Sequence, residues 1–156
     1  MIQVILRDVC QEDLAQLFEH QNDSEANLMA AFPPRPQPLF MEHWQNKILG
    51  DPAALKKAII VDESQLAGNI LSWEQCGRQL VGYWLGRQYW GKGIATAALM
   101  KFLSMVSIRP LFAYAAKHNV GSIKVLQKCG FKAVGEQKVF SEVHDHEIDE
   151  LTFMLE

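Results

Sequence analysis

The sequence predicts an α/β protein with a single domain, in which helices flank a mixed and mostly antiparallel sheet. The chain has 156 residues, of which 49% are hydrophobic, and this length suits one domain with a substantial core. Three strand-like segments follow one another in the middle of the chain, and strand-like and helical segments alternate after them. Both patterns favour a mixed α/β sheet. We therefore expect one domain over residues 1–156.

The N-terminal part begins with a strand and continues as a helix. Apolar and polar side chains alternate over residues 2–6, which predicts a strand, and apolar residues at helical spacing between 14 and 18 predict the first helix. Four prolines interrupt residues 31–38. This segment is expected to be irregular, because proline lacks an amide donor and has a fixed φ. A second helix is expected over about residues 39–49.

The middle of the chain predicts an antiparallel meander, and the C-terminal part predicts alternating elements. Short turns separate three expected strands, which are Lys57–Val61, Gln65–Glu74 and Arg78–Leu85. After a glycine-bounded loop, apolar residues recur at helical spacing from Ile94 to Val106 and predict a long helix. A strand, an amphipathic helix that ends at Gly130, and two further strands complete the chain: Pro110–Ala115, Val120–Cys129, Phe131–Val134 and Ile148–Leu155.

Charge is distributed unevenly along the chain, although the net charge is only -3. From Gln75 to Gly135 there is no Asp or Glu, while nine Lys and Arg residues fall in this acid-free segment. Such a local excess favours binding of a polyanion. A nucleic-acid partner is not expected, because the whole chain is acidic and no aromatic run interleaves with the basic residues.

Neither a membrane anchor nor a disulfide framework is indicated. No apolar run approaches the roughly 20 residues that cross a bilayer, and the N-terminus lacks the pattern of a secretory leader. We therefore expect a cytoplasmic protein without membrane association. Cys10, Cys76 and Cys129 are odd in number and form no C-x-x-C motif, so they are interpreted as small, partly buried apolar residues.

The segment Val81–Thr96 carries the most chemical information. A strand ends, a loop with Gly91 and Gly93 follows, and a helix begins directly after it. Free amides and the positive end of the dipole at such a helix start favour phosphate binding. A mononucleotide P-loop is excluded, because no Ser or Thr follows Lys92, and a dinucleotide fingerprint is disfavoured, because its third glycine is absent.

The pattern Gln88-x-x-Gly91-x-Gly93-x-Ala95 resembles the loop of the GNAT family of acetyl-CoA-dependent N-acetyltransferases. The segment Asn119–Phe131 is similar to the N-x-x-[AS]-x-x-x-x-x-K-x-G-F segment of the same family. The order and spacing of the elements match over nearly the whole chain. The likeness is strongest to the branch that includes ribosomal-protein N-terminal acetyltransferases.

The resemblance implies a GNAT-like acyl-CoA transferase fold with acetyl-CoA as the co-substrate. In that family the loop amides bind the pyrophosphate of coenzyme A, and the Asn and the small residue after it approach the cofactor. A plain helix cap is the alternative role of Asn119. The expected cofactor-binding residues are Tyr83, Leu85, Arg87, Gln88, Gly91, Lys92, Gly93, Ile94, Ala95, Asn119 and Ser122.

Acetyl transfer to an amine needs a neutral nucleophile, a stabilised oxyanion and a proton for the departing thiolate. The resemblance implies direct attack on the thioester, with the acetyl carbonyl held by the amide of Trp84 or Tyr83. Many family members carry a Tyr acid where this chain has Leu126, so no general acid is assigned. For the base we favour Glu74, a carboxylate on the neighbouring strand. Asp149 in the acidic C-terminal hairpin is the alternative carboxylate, and the alternative for Glu74 itself is a solvated carboxylate at a hairpin end.

Several further residues are candidates for the acceptor side. Trp73, His43 and Trp44 are expected to line the acceptor pocket, with a core position as the alternative for Trp73. His144 and His146 form an H-x-H pair, but a third ligand is missing and no metal site is expected.

The expected function is acetyl transfer to a small-molecule amine or a protein N-terminus, with a homodimer as a further expectation. A catalytically silent acyl-CoA-binding or sensor domain of the same fold is the alternative. That alternative stays open, because this chain has Leu126 where many family members have a Tyr acid.

Overall fold

The computed structural model describes residues 2–156, and its centre is one seven-stranded sheet. The strands are β1 (Val4–Asp8), β2 (Leu55–Val61), β3 (Gln65–Gln75), β4 (Arg78–Leu85), β5 (Leu111–Ala116), β6 (Lys132–Ser141) and β7 (His146–Leu155). Their order across the sheet is β1-β2-β3-β4-β5-β7-β6. Every neighbouring pair is antiparallel except β4 and β5, which are parallel. The predicted fold class is confirmed.

Helices cover both faces of this sheet. They are α1 (Leu14–Gln21), α2 (Ser24–Ala30), α3 (Gln37–Glu42), α4 (Ile94–Leu103) and α5 (Val120–Lys128), and α3 continues as a π-helical turn over His43–Ile48. Side chains of a strand alternate between the two faces. In β2, Ile59 and Val61 therefore join the core that includes α4 and α5, while Ala58 and Ile60 join a second core with α1 and α3.

The structure adds one helix, α2, that the sequence did not predict. Asp23 begins it as an N-cap, because its carboxylate accepts a hydrogen bond of 3.0 Å from the amide of Glu25. The predicted irregular segment is shorter than expected. Pro38 lies in the first turn of α3, where a missing amide costs no hydrogen bond.

Other boundaries differ for local reasons. The predicted helix from Ile94 ends at Leu103 instead of Val106, because the amide and the hydroxyl of Ser104 both donate to the carbonyl of Lys101. The β6 strand runs on to Ser141 instead of ending at Val134. Its polar residues lie on the edge of the sheet, where only β7 pairs with them.

Candidate active site

Strands β4 and β5 separate soon after they meet, and this separation creates the opening that holds the site. Only two pairs, Gln79 with Leu111 and Leu80 with Phe112, are in register between them. Beyond Leu80, β4 stays paired with β3 up to Leu85. The last part of β4 therefore has one edge that no strand covers.

The hydrogen-bond register of β3 and β4 decides which amides face this opening. The amide of Gly86 donates to the carbonyl of Ala67, which precedes β3 residue Gly68, at 2.9 Å. Because successive residues of a strand point their amides to opposite sides, the amide of Trp84 points to β3, and those of Tyr83 and Leu85 point to the opening. Of the two amides that were predicted to hold the acetyl carbonyl, those of Trp84 and Tyr83, only the amide of Tyr83 faces the opening.

A cavity of about 670 Å³ lies at this opening, a volume typical of small-molecule sites. Its walls come from the end of β4, the glycine loop, and parts of α2, α4 and α5. The predicted residues that line it are Tyr83, Trp84, Leu85, Gly91, Gly93, Ile94, Ala95, Asn119 and Ser122. Among residues 2–156, the predicted residues outside the lining are Glu74, Arg87, Gln88 and Lys92, together with the acceptor-side candidates His43, Trp44 and Trp73.

The glycine loop forms a cradle at the start of α4. Gly91 and Gly93 have φ of 72° and 78°, and a Cβ on either would meet no protein atom within 4 Å. The first bond of the helix runs from the amide of Ala97 to the carbonyl of Gly93 at 3.1 Å, and the N-cap has no side-chain partner. The earlier amides at the helix start are thus free for an anion. The cradle fits the pyrophosphate of coenzyme A.

The cations near the cavity differ from those that the sequence predicted. Lys124 and Lys128 on α5 line the cavity. Arg87, expected to screen phosphates, instead pairs with Asp23 at 3.0 Å and with Glu25 at 2.5 Å. These carboxylates raise the pKa of Arg87. Arg87 therefore ties the glycine loop to the N-terminus of α2.

Asn119 and Ser122 lie at the N-terminus of α5, and both side chains form hydrogen bonds there. The side-chain oxygen of Asn119 accepts the amide of Ser122 at 3.3 Å, which is a helix N-cap, and leaves the amide nitrogen of Asn119 as a further donor. The Ser122 hydroxyl lies 2.9 Å from that of Tyr83. Burial raises the pKa of Tyr83 to about 12, so this phenol keeps its proton at neutral pH.

Glu74, the predicted base, lies at the turn between β3 and β4. It is exposed, and its carboxylate accepts the amide of Gly77 at 3.1 Å. This contact corresponds to the hairpin-end alternative. Trp73 lies beside Gly82, where a Cβ would come within 3.2 Å of its ring.

Leu126 and Trp44 both lie in the core of the protein. Leu126 is 1% exposed and packs in the core with α4, so α5 presents no hydroxyl from this position. Trp44 is 4% exposed and packs against Phe40, with ring centroids 6.1 Å apart. The prediction that Trp44 lines the acceptor pocket is therefore wrong.

His20 on α1 packs against the end of β4. Its backbone carbonyl accepts the indole N–H of Trp84 at 3.0 Å, and its ring packs edge-on against Tyr89. A Cβ on Gly86 would come within 2.8 Å of the His20 ring, so only glycine fits there. Burial lowers the pKa of His20 and favours the neutral imidazole.

The sequence reasoning missed the wall that α2 forms and the residue His118, which also lines the cavity. The start of α2 could have been predicted, because Asp23 is a typical N-cap residue and Glu25 is an acidic residue in the first turn. His118 had no such signal, because its neighbours are set by the tertiary fold.

Among residues 2–156, no group of three or more His, Cys, Asp or Glu side chains is arranged to hold a metal ion. In the same part of the chain, no helix is long and apolar enough to span a membrane.

Comparison with known proteins agrees with the geometry of this site. The family model for the acetyltransferase (GNAT) domain matches residues 3–132. A curated relative, "Uncharacterized N-acetyltransferase p20" of Bacillus licheniformis, is 30% identical over 86 residues, which are 53% of this chain and 48% of the relative. The match thus spans about half the length of this curated relative.

Solved structures share the fold at low sequence identity. Spermidine N-acetyltransferase from Vibrio cholerae, in complex with CoA and spermine, has a TM-score of 0.85 at 17% identity, over 98% of this chain and 95% of that chain. A GNAT-family acetyltransferase from Bacillus anthracis has a TM-score of 0.81 at 19% identity, over 97% and 93%. Since the family model matches most of the sequence, this chain belongs to the acetyltransferase (GNAT) domain family.

Proposed function

We propose that this protein is an acetyl-CoA-dependent N-acetyltransferase that acts on the amine of a small molecule by direct attack on the thioester. One observation carries the proposal. The glycine cradle at the start of α4 leads into an opening between β4 and β5, into which the amides of Tyr83 and Leu85 point. This is the arrangement that a long molecule with a pyrophosphate at one end and a thioester at the other requires.

The anionic end of the co-substrate is bound by backbone and by two cations. The amides that begin α4 donate to the pyrophosphate, and the absence of a Cβ on Gly91 and Gly93 lets the phosphates approach. Lys124 and Lys128, one turn apart on α5, neutralise phosphate charge. The amide nitrogen of Asn119 donates to the amide-rich arm.

Tyr83 has two roles at the reacting end. Its backbone amide donates to the acetyl carbonyl oxygen and stabilises the negative charge that develops there during attack. Its hydroxyl, held by Ser122 at 2.9 Å, donates the proton that the departing thiolate needs. Because burial raises the pKa of Tyr83 to about 12, the phenol carries a proton at neutral pH and is available as the donor.

The acceptor is proposed to be a small amine, because the spermidine N-acetyltransferase with the same fold holds spermine. A protein N-terminus, membership of the ribosomal-protein branch, a homodimer and a cytoplasmic location stay predictions from the sequence.

Free-thiol release from acetyl-CoA tests the function, with spermine, ribostamycin and a hexapeptide with a free N-terminal amine as acceptors. Thiol release that depends on one of these amines supports the proposal. The buried Leu126 favours one alternative, a silent acyl-CoA-binding domain. Calorimetric binding of acetyl-CoA without thiol release from any acceptor would establish that alternative instead.

A further inference from the structure

Three histidines from two separate loops meet beside the cavity. His118 lies in the connection between β5 and α5 and lines the cavity, while His144 and His146 lie at the turn and the start of β7. The ring centroids of His118 and His144 are 5.2 Å apart, and those of His144 and His146 are 5.8 Å apart. We refer to these three side chains as the imidazole cluster.

Carbonyl contacts assign the tautomers of the two outer rings. The Nε2 atom of His118 lies 3.0 Å from the carbonyl oxygen of Leu28 on α2. A carbonyl can only accept, so Nε2 carries the hydrogen and Nδ1 of the neutral ring has a free lone pair. In the same way, Nδ1 of His146 donates to the carbonyl of Glu147 at 2.9 Å and leaves Nε2 as an acceptor.

The central ring is held in place and resists protonation. The Nδ1 atom of His144 lies 2.8 Å from the hydroxyl of Ser141, a residue that is 2% exposed. Burial lowers the pKa of His144, and the neighbouring His118 and His146 lower it further. The ring of His144 is therefore neutral at neutral pH and places no positive charge beside His118.

The charged groups around the cluster are mostly compensated by partners. Lys117 pairs with Glu136 at 3.2 Å, and Lys138 pairs with Asp149 at 3.1 Å. On α2, Glu25 is paired with Arg87. Glu142 and Asp145 lie on the turn between β6 and β7, Glu147 lies at the start of β7, and all three are exposed.

We propose that His118 is the base that takes the proton from the acceptor ammonium, and that His144 and His146 are positioning residues that orient its ring. His118 is exposed and then releases the proton to solvent. The inference rests on the proposed function. In this step an N–H bond of the ammonium breaks, an N–H bond forms at Nδ1 of His118, and the neutral amine attacks the thioester. The second amine proton leaves after attack and replaces the one that Tyr83 gives to the thiolate. Proton uptake therefore lies on the wall formed by α2 and the two loops, away from Glu74.

The first experiment does not depend on turnover. Imidazole C2 protons are followed by NMR from pH 4 to 9 in the wild type and in His118→Gln, whose amide keeps a donor for the Leu28 carbonyl. In wild type we expect His144 to titrate below an ordinary histidine, and in His118→Gln its midpoint should rise. His43→Gln, an imidazole outside the cavity lining among residues 2–156, should leave His144 unchanged. A His144 titration that is unaffected by His118→Gln would overturn the proposal.

The second experiment measures kcat/KM from pH 6 to 10 with the panel amine that reacts best. The wild-type profile should rise with pH and then level off. His118→Gln should lose about 10²-fold at pH 7 and then rise with pH, because the amine must lose its proton unaided. His144→Gln should shift the acidic limb, and Glu63→Gln, in the exposed turn between β2 and β3, should match wild type. An unchanged profile in His118→Gln with normal turnover contradicts this inference alone, whereas acetyl-CoA binding without turnover in wild type contradicts both proposals.

Discussion

Replacing Gly93 by alanine separates phosphate binding from backbone strain. Gly93 has φ of 78°, and a Cβ there would meet no protein atom within 4 Å. The cost to folding is therefore the strain of the left-handed conformation alone, about 1–2 kcal/mol, or a fall in Tm of roughly 2–8 °C for a chain of this size. The new methyl group occupies the space in which the pyrophosphate approaches the amides. Losing one hydrogen bond to a charged group, about 1.5–3 kcal/mol, weakens coenzyme A binding roughly 10- to 100-fold.

Gly77→Ala is the matched control for this prediction. Gly77 has φ of 81°, and a Cβ there would also meet no atom within 4 Å, but this glycine lies in the turn between β3 and β4. Thermal unfolding should show similar losses for the two variants. Calorimetry with coenzyme A should show weaker binding only for Gly93→Ala. Equal affinities in both variants would refute the assignment of the phosphate cradle.

Three further substitutions address the chemistry and the stability of the fold. Tyr83→Phe should lower kcat about 10²-fold with little change in acetyl-CoA affinity. Ser122→Ala breaks the same hydrogen bond but retains the phenol, so it should keep most of kcat. Equal falls of kcat in the two variants would show that this hydrogen bond has a structural role only. Glu74→Gln should leave kcat/KM unchanged from pH 6 to 10, and a loss at neutral pH that recovers at high pH would restore Glu74 as the base. Arg7 lowers the pKa of Asp13 below its ordinary 3.8, so the Asp13 carboxylate binds a proton more readily in the unfolded chain than in the folded one. The ion pair therefore stabilises the fold fully above pH 3.8, and this stabilisation is lost as pH falls through the pKa of the folded state. Urea unfolding should therefore show a constant advantage of wild type over Asp13→Asn near neutral pH that shrinks in acid, and a pH-independent difference would contradict this ion-pair effect.

Local patterns in the sequence were sufficient for most of the sheet and for the glycine loop at the start of α4. The alternation in β2 and the glycines before α4 are properties of neighbouring residues, and the cradle needs only Gly91, Gly93 and a helix start. The identity of the amide that faces the opening needed the register of β4 on β3. That register depends on a partner strand, which the periodicity of one segment does not specify.

Features that depend on distant contacts could not be predicted. Arg87 was expected to bind the cofactor as a cation of the acid-free segment, but α2 brings Asp23 and Glu25 against it. Glu74 was chosen by elimination along the chain, and only the folded turn shows its bond to Gly77. His118 and His144 are brought together by the pairing of β5 with β7 and by the turn that precedes β7.

The parting of β4 and β5 has a consequence for how the molecule unfolds. Two registered pairs are the only ladder pairs between the four N-terminal strands and the three C-terminal ones within residues 2–156, so few sheet hydrogen bonds join the two halves. A long ligand that bonds to the free edge of β4 and packs on α5 acts as an additional crosslink between them. Local opening at this seam is a low-energy event in the free protein, and binding suppresses it. Amide exchange should therefore slow on ligand binding even in β6, the strand farthest from β4 on that side.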